Sequence, residues 1–152
     1  MTHDLRGRVA LVSGGLGDIG RAVADELAGR GADVSLGDVA PRSAAEDAIA
    51  AIAKVGVRAA YTQVDVADAA AVQGWIDEVE MTLGVPTIAV ANAAQVTQAD
   101  FRSLTADQWD RELRVNLDGG FHVAHAAGLR MLARGTRGRI VFVGSWAADH
   151  PH

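Results

Sequence analysis

The sequence predicts an α/β fold: a doubly wound parallel sheet with strand order 3-2-1-4-5. Short, nearly continuous apolar runs alternate with longer alanine-rich segments whose apolar residues recur at helical spacing, as expected for strands covered on both faces by helices. Glycines or capping residues mark the junctions, so the elements separate cleanly. The stretch SGGLGDIG at 13–20 stands directly behind the first apolar run, where such a sheet turns from its first strand into its first helix. Right-handed crossovers then set the order.

Residues 9–12 (VALV) form the first strand. Ile19, Val23 and Leu27 give 19–30 one helical face, and Gly29-Arg30-Gly31 stops it. A second strand covers 34–36, and Ser43-Ala44-Ala45-Glu46 reads as a capping box opening a helix that fades at Lys54-Val55-Gly56. Residues 57–64 make the third strand. Asp68 caps a helix running through Val72, Trp75, Ile76 and Val79 to Leu83-Gly84. The fourth strand, 87–90, follows Pro86. Thr105-Ala106-Asp107-Gln108 is a second capping box, starting a helical segment from about Trp109 to Ala133 that the pair Gly119-Gly120 loosens. Residues 138–143 form the fifth strand. No linker divides 1–152, which reads as one domain.

Composition narrows the function. With 152 residues and 49% apolar content the chain builds a core, and a net charge of −5 gives no attraction to nucleic acid or an anionic membrane. The absence of cysteine excludes disulfides, thiolate metal sites and a cysteine nucleophile. No apolar run reaches the ~18 residues of a membrane span, and the polar start MTHDLRGR has no signal-peptide core, so a cytoplasmic protein is expected. His122 and His125 lie one helical turn apart without a third ligand, and His150 and His152 flank a proline, so no metal is assigned. Trp75 and Trp109 are predicted to pack; Trp146, beside Ser145, is a candidate pocket wall.

The chemistry begins at the glycine turn. Gly14, Gly15, Gly17 and Gly20 let backbone N–H groups approach a phosphate at a helix N-terminus, although a plain tight turn needs the same residues. Asp38, at the end of the second strand, has the place of a carboxylate that binds ribose hydroxyls and repels a 2′-phosphate; a loop cap is the competing role. Position 39 is valine, so no adjacent base favours that phosphate. NAD is therefore expected over NADP, with Arg42 keeping NADP open.

On these residues the chain resembles the N-terminal part of the short-chain dehydrogenase/reductase family, over essentially its whole length. In the family's TGxxxGxG turn, Ser13, Gly14 and Gly20 match, and Asp18 replaces the middle glycine. The resemblance implies an NAD(P)-binding Rossmann fold. It places Asp65 and Val66 at the adenine ring, and Asn92, in Ala91-Asn92-Ala93-Ala94, as sheet support and ribose contact, although two positions of the family's NNAG are alanine here. Asn116, in Val115-Asn116-Leu117, matches the catalytic asparagine whose backbone holds a relay water; alone it reads as a helix-kinking polar residue. Ser145 matches the serine that hydrogen-bonds the substrate oxygen; alone it reads as a strand-end cap. The implied cofactor set is Gly14, Gly15, Gly17, Asp18, Ile19, Gly20, Asp38, Val39, Asp65, Val66, Asn92, Ala93, Ala94 and Val115, with Ser145 and Asn116 catalytic.

The resemblance further implies hydride transfer between an alcohol and a ketone or aldehyde, a small-molecule substrate, and a homo-oligomer, dimer or tetramer, paired through the long helix with Val115 and Phe121 at the interface. One departure is large. The family's acid/base tyrosine and its companion lysine lie past the position of Ser145, whereas the only tyrosine here is Tyr61, in the third strand, and the only lysine is Lys54. Neither is reassignable. An apolar fifth strand left as a sheet edge leads to the expectation of further chain carrying the missing pair, the remaining strands and the substrate loop. A catalytically silent dinucleotide sensor and a structural module are the competing readings. Asp18 is expected to be the N-cap of the first helix, its carboxylate turned onto the helix N–H groups and offset by Arg21, with the pyrophosphate left to Gly14, Gly15, Ile19 and Gly20.

Overall fold

A computed structural model describes residues 4–145, which excludes Trp146, His150 and His152. The elements in chain order are β1 (Val9–Ser13), α1 (Asp18–Gly29), β2 (Asp33–Asp38), α2 (Glu46–Lys54), β3 (Ala59–Gln63), α3 (Ala69–Thr82), β4 (Ile88–Ala91), α4 (Ala106–Leu113), α5 (Gly119–Ala133) and β5 (Arg139–Phe142). A 3-10 turn, Arg42–Ala45, precedes α2, and a π-helical segment, Arg114–Asp118, joins α4 to α5. All strand pairs are parallel, in the predicted order β3-β2-β1-β4-β5.

Alternation in β1 builds both layers, because successive side chains leave a strand on opposite faces. Val9 and Leu11 enter one core with residues of α3 and α5, including Trp75, Ile76, Val79 and Val123. Ala10 and Val12 enter the other, with Ala24 and Ala28 of α1 and Ala48 and Ile52 of α2. The sheet is thus covered on both sides, as its unbroken apolar strands predict. Trp75 is 1% exposed, and its indole N–H donates to Ser35 Oγ at 2.8 Å, so the largest core side chain is also satisfied as a polar group. Gly37 makes room for it: a Cβ there would stand 2.8 Å from the indole ring.

Several local expectations are corrected. Asp68 does cap α3, accepting from the N–H groups of Ala70 and Ala71, and Thr105 with Gln108 closes a full capping box. Ser43 caps nothing: Pro41, at φ −65°, leads instead into the 3-10 turn, and α2 starts at Glu46 without a side-chain cap. The long helix loosens in the π segment just ahead of Gly119-Gly120, and within that segment the Asn116 side chain bonds Gln95 of a neighbouring loop. Trp109 does not pack; it is 56% exposed on α4, a helix with no buried residue. Val115 faces inward and is buried, so it is unavailable to an oligomer interface, whereas Phe121 is exposed and stacks on His125. Among the described residues β5 is exposed along its length, and no helix is long and apolar enough to cross a membrane.

Replacing Trp75 by Phe leaves the buried Ser35 hydroxyl without its donor. A loss of about 1–3 kcal/mol in chemical denaturation is expected, partly recovered when Ser35→Ala is added, because removing both partners leaves no orphan.

Candidate functional site

β1 and β4 are neighbours at the centre of the sheet, and the chain runs from β1 towards β2 on one side and from β4 towards β5 on the other. A crevice opens outside the C-terminal ends of two strands whose connections diverge in this way. Ser13 holds its floor. The buried hydroxyl donates to the Val90 carbonyl at 3.3 Å and accepts from the N–H groups of Asn92 at 3.0 Å and Ala93 at 3.1 Å. Asn92 returns the tie, its side-chain NH₂ donating to the carbonyls of Ser13 at 3.0 Å and Gly14 at 3.1 Å.

The glycine turn packs against this staple as closely as backbone permits. Gly14 has φ +62°, and a Cβ on it would lie 2.8 Å from Ala93 Cα. A Cβ on Gly20 would stand 2.1 Å from the Gly14 carbonyl oxygen. Gly15 faces away: its N–H donates to the Gly37 carbonyl at 3.2 Å, and it packs on Leu36.

Asp38 ties the turn to β2. One carboxylate oxygen accepts from the Leu16 N–H at 3.1 Å and the other from the Ala40 N–H at 3.2 Å. The loop-cap role is therefore real. Carboxylate oxygens have about four acceptor sites in all, so two remain for further donors. Tyr61 braces the same loop, its hydroxyl lying against the carbonyls of Asp38 and Ala40, and burial followed by the Asp38 charge raises its pKa.

Asp18 differs from its predicted role. Gly17 is the N-cap of α1 and Asp18 the first helical residue. Among the described residues its carboxylate has no hydrogen bond to the helix N–H groups and no ion pair with Arg21. It lines the crevice instead.

Two adjoining clefts meet at Gly14, Asp38, Ala93 and Ala94. The first adds Gly17, Asp18, Ile19, Gly20 and Asn92; the second adds Val39, Asp65, Val66 and Val115. Every residue of the predicted cofactor set except Gly15 is thereby brought to one groove. Gly37, Val64, Gln95 and Arg111 also line it, although no sequence motif marks them. The first N–H groups of α1, at Asp18, Ile19 and Gly20, precede the first intrahelical bond, Arg21 N–H to the Gly17 carbonyl, and so remain for an anionic ligand. Only glycine fits at positions 14 and 20, where a Cβ would enter neighbouring backbone, so the turn lies close against the strand ends with these N–H groups open to the groove.

The two predicted catalytic residues lie elsewhere on this end of the domain. The Asn116 side chain clamps a single residue, its Oδ1 accepting from the Gln95 N–H and its Nδ2 donating to the Gln95 carbonyl, each at 2.7 Å. Ser145 follows β5, exposed, at the end of the described chain. His122 is half-buried, with Nδ1 2.8 Å from the Val66 carbonyl, so that nitrogen bears the hydrogen. Among the described residues no group of three or more His, Cys, Asp or Glu is placed to hold a metal.

The sequence profile described as short chain dehydrogenase matches residues 8–152. A short-chain dehydrogenase/reductase of Armillaria gallica is 39% identical over 90% of this chain and 52% of its own length. The crystal structure of an NAD⁺-bound xylitol dehydrogenase superposes with a TM-score of 0.91 at 34% identity, covering 99% of this chain and 57% of that one. A short chain dehydrogenase from Burkholderia cenocepacia J2315, in complex with NADP, gives 0.89 at 35% identity, covering 99% and 60%. The chain spans only a little over half the length of several curated relatives it matches, 52% to 58% of theirs.

Gly20→Ala forces its methyl into the Gly14 carbonyl and must move the turn. An apparent Kd for a dinucleotide raised by about tenfold or more, equivalent to ~1.4 kcal/mol, is expected in calorimetric titration; unchanged affinity would show that the turn does not shape the groove.

Proposed function

The chain belongs to the short-chain dehydrogenase family, and from that premise we propose that the protein is an oxidoreductase interconverting an alcohol and a ketone or aldehyde with NAD(H). The observation that carries the reading is the continuous groove from the glycine turn to Asp65 and Val66, with Asp38 at its middle. Gly14, Gly17, Ile19 and Gly20 take the pyrophosphate, Asp38 the adenosine ribose, Asp65 and Val66 the adenine, and Asn92, Ala93, Ala94 and Val115 the inner wall. When bound, the nicotinamide supplies the acceptor or donor of hydride. Ser145 orients the substrate oxygen and the Asn116 backbone supports the proton relay. The reading includes a cytoplasmic homo-oligomer, in keeping with the exposed Phe121 and Leu117 on the long helical segment.

Two observations favour NAD over NADP. A 2′-phosphate beside Asp38 would meet its carboxylate. Arg42, the cation that kept NADP open, donates to the Tyr61 carbonyl at 3.1 Å and lines a separate cleft along α2 with Ile49.

Asp38→Asn keeps a side-chain acceptor and removes the charge. In fluorescence titrations NAD affinity is expected to fall about tenfold, the scale of one charge-assisted hydrogen bond, while discrimination against NADP relaxes. An unchanged preference between the two cofactors would contradict the assignment.

A further inference from the structure

Arg111 belongs to none of the sequence motifs, yet it projects from α4 into the groove beside Val39, Asp65, Val66 and Val115. Its guanidinium bridges two chain segments. Nη2 donates to Asp65 Oδ2 at 3.2 Å, and Nε donates to the Gln95 side-chain oxygen at 3.3 Å. Asp65 is oriented from its other oxygen, which accepts from the Ala67 N–H at 3.0 Å. Gln95, in turn, has its backbone held at both ends by Asn116. A chain of contacts thus runs Asp65, Arg111, Gln95, Asn116.

α4 has no buried residue, so apolar packing does little to fix its position. Polar ties to its neighbours do more: Arg111 to Asp65 and Gln95, and Glu112 to the Thr97 N–H. The Arg111 side chain is 44% exposed, two of its five N–H donors are engaged in these bonds, and its planar face is of the kind that stacks on an aromatic ring.

We propose that Arg111 is a cofactor-binding residue that closes the adenine end of the groove, and that through Gln95 it connects occupancy of that end to the Asn116 clamp. The inference rests on the dinucleotide reading of the groove and adds to it a residue outside the glycine turn and the Asp38 and Asp65 positions. Stacking of the guanidinium on the purine is the contact that would couple the two.

The test compares the protein with Arg111→Ala and Arg111→Lys in titrations with NAD and with ADP-ribose, which keeps the adenosine half and lacks nicotinamide. Arg111→Ala is expected to raise both dissociation constants by the same factor, about tenfold, measured well below the melting transition, which the loss of the ties to Asp65 and Gln95 lowers slightly. Arg111→Lys is expected to recover part of the loss, since it keeps the charge without the planar fork. The Gln95 amide resonance should shift on ADP-ribose binding to the parent protein and not to Arg111→Ala. Unaltered affinity in Arg111→Ala overturns the proposal, as does complete recovery of affinity in Arg111→Lys, which keeps an ion pair with Asp65 but no planar face and so marks a purely structural role. If the parent protein binds neither ligand, the dinucleotide reading itself fails and this inference falls with it; binding by the parent without any effect of the variants defeats the inference alone.

Discussion

The Ser13 hydroxyl sits where the first and fourth strands end, and the arrangement of the groove follows from its three hydrogen bonds. One oxygen donates to Val90 and accepts from the N–H groups of Asn92 and Ala93, which uses its full donor and acceptor capacity inside the core. The Asn92 side chain then fixes the carbonyls of Ser13 and Gly14. Because both strand ends are fastened to each other, the glycine turn is held close against the end of β4. The absence of a Cβ at Gly14 and Gly20 makes that approach possible. Asp38 adds a second fastening from β2, so three strand ends converge on one turn.

The layers beneath are what make this convergence stiff. β1 is fully buried and contributes alternate residues to two cores, so neither helical layer can shift without disturbing the strand that carries Ser13. On the outer side the ties are different in kind. α3 and α5 are linked by Arg130 to Asp77 and Glu80 and by Arg134 to Glu80, whereas α4 is attached mainly by single polar contacts. The groove is therefore closely tied at the glycine turn and more lightly held at the wall that carries Arg111.

Much of this architecture is legible in the amino-acid sequence. The sheet order follows from apolar runs punctuated by glycine, and Asp68 and Thr105 announce their helices by side chain and spacing alone. Local chemistry misleads where tertiary geometry overrides it. Ser43 carries the residues of a capping box, but the turn after Pro41 takes the backbone into a 3-10 path that the box does not fit. Trp109 has the size of a core residue and sits on a helix that buries nothing. Asp18 is a residue type favoured at an N-cap, and a shift of one position, with Gly17 taking that place, turns it from cap to groove lining. Arg111 has no readable signal, because its partner Asp65 is 46 residues away in sequence and the pairing exists only once α4 has docked.

Backbone amide shifts on titration with NAD test whether the groove from the glycine turn across Asp38 to Val66 receives a dinucleotide. A dinucleotide seated in this groove predicts saturable shifts concentrated at Gly14, Ile19, Gly20, Asp38, Val66 and Ala93. Saturable shifts confined to the cleft along α2 at Arg42, Ile49 and Tyr61, or no shifts at saturating NAD, would contradict it.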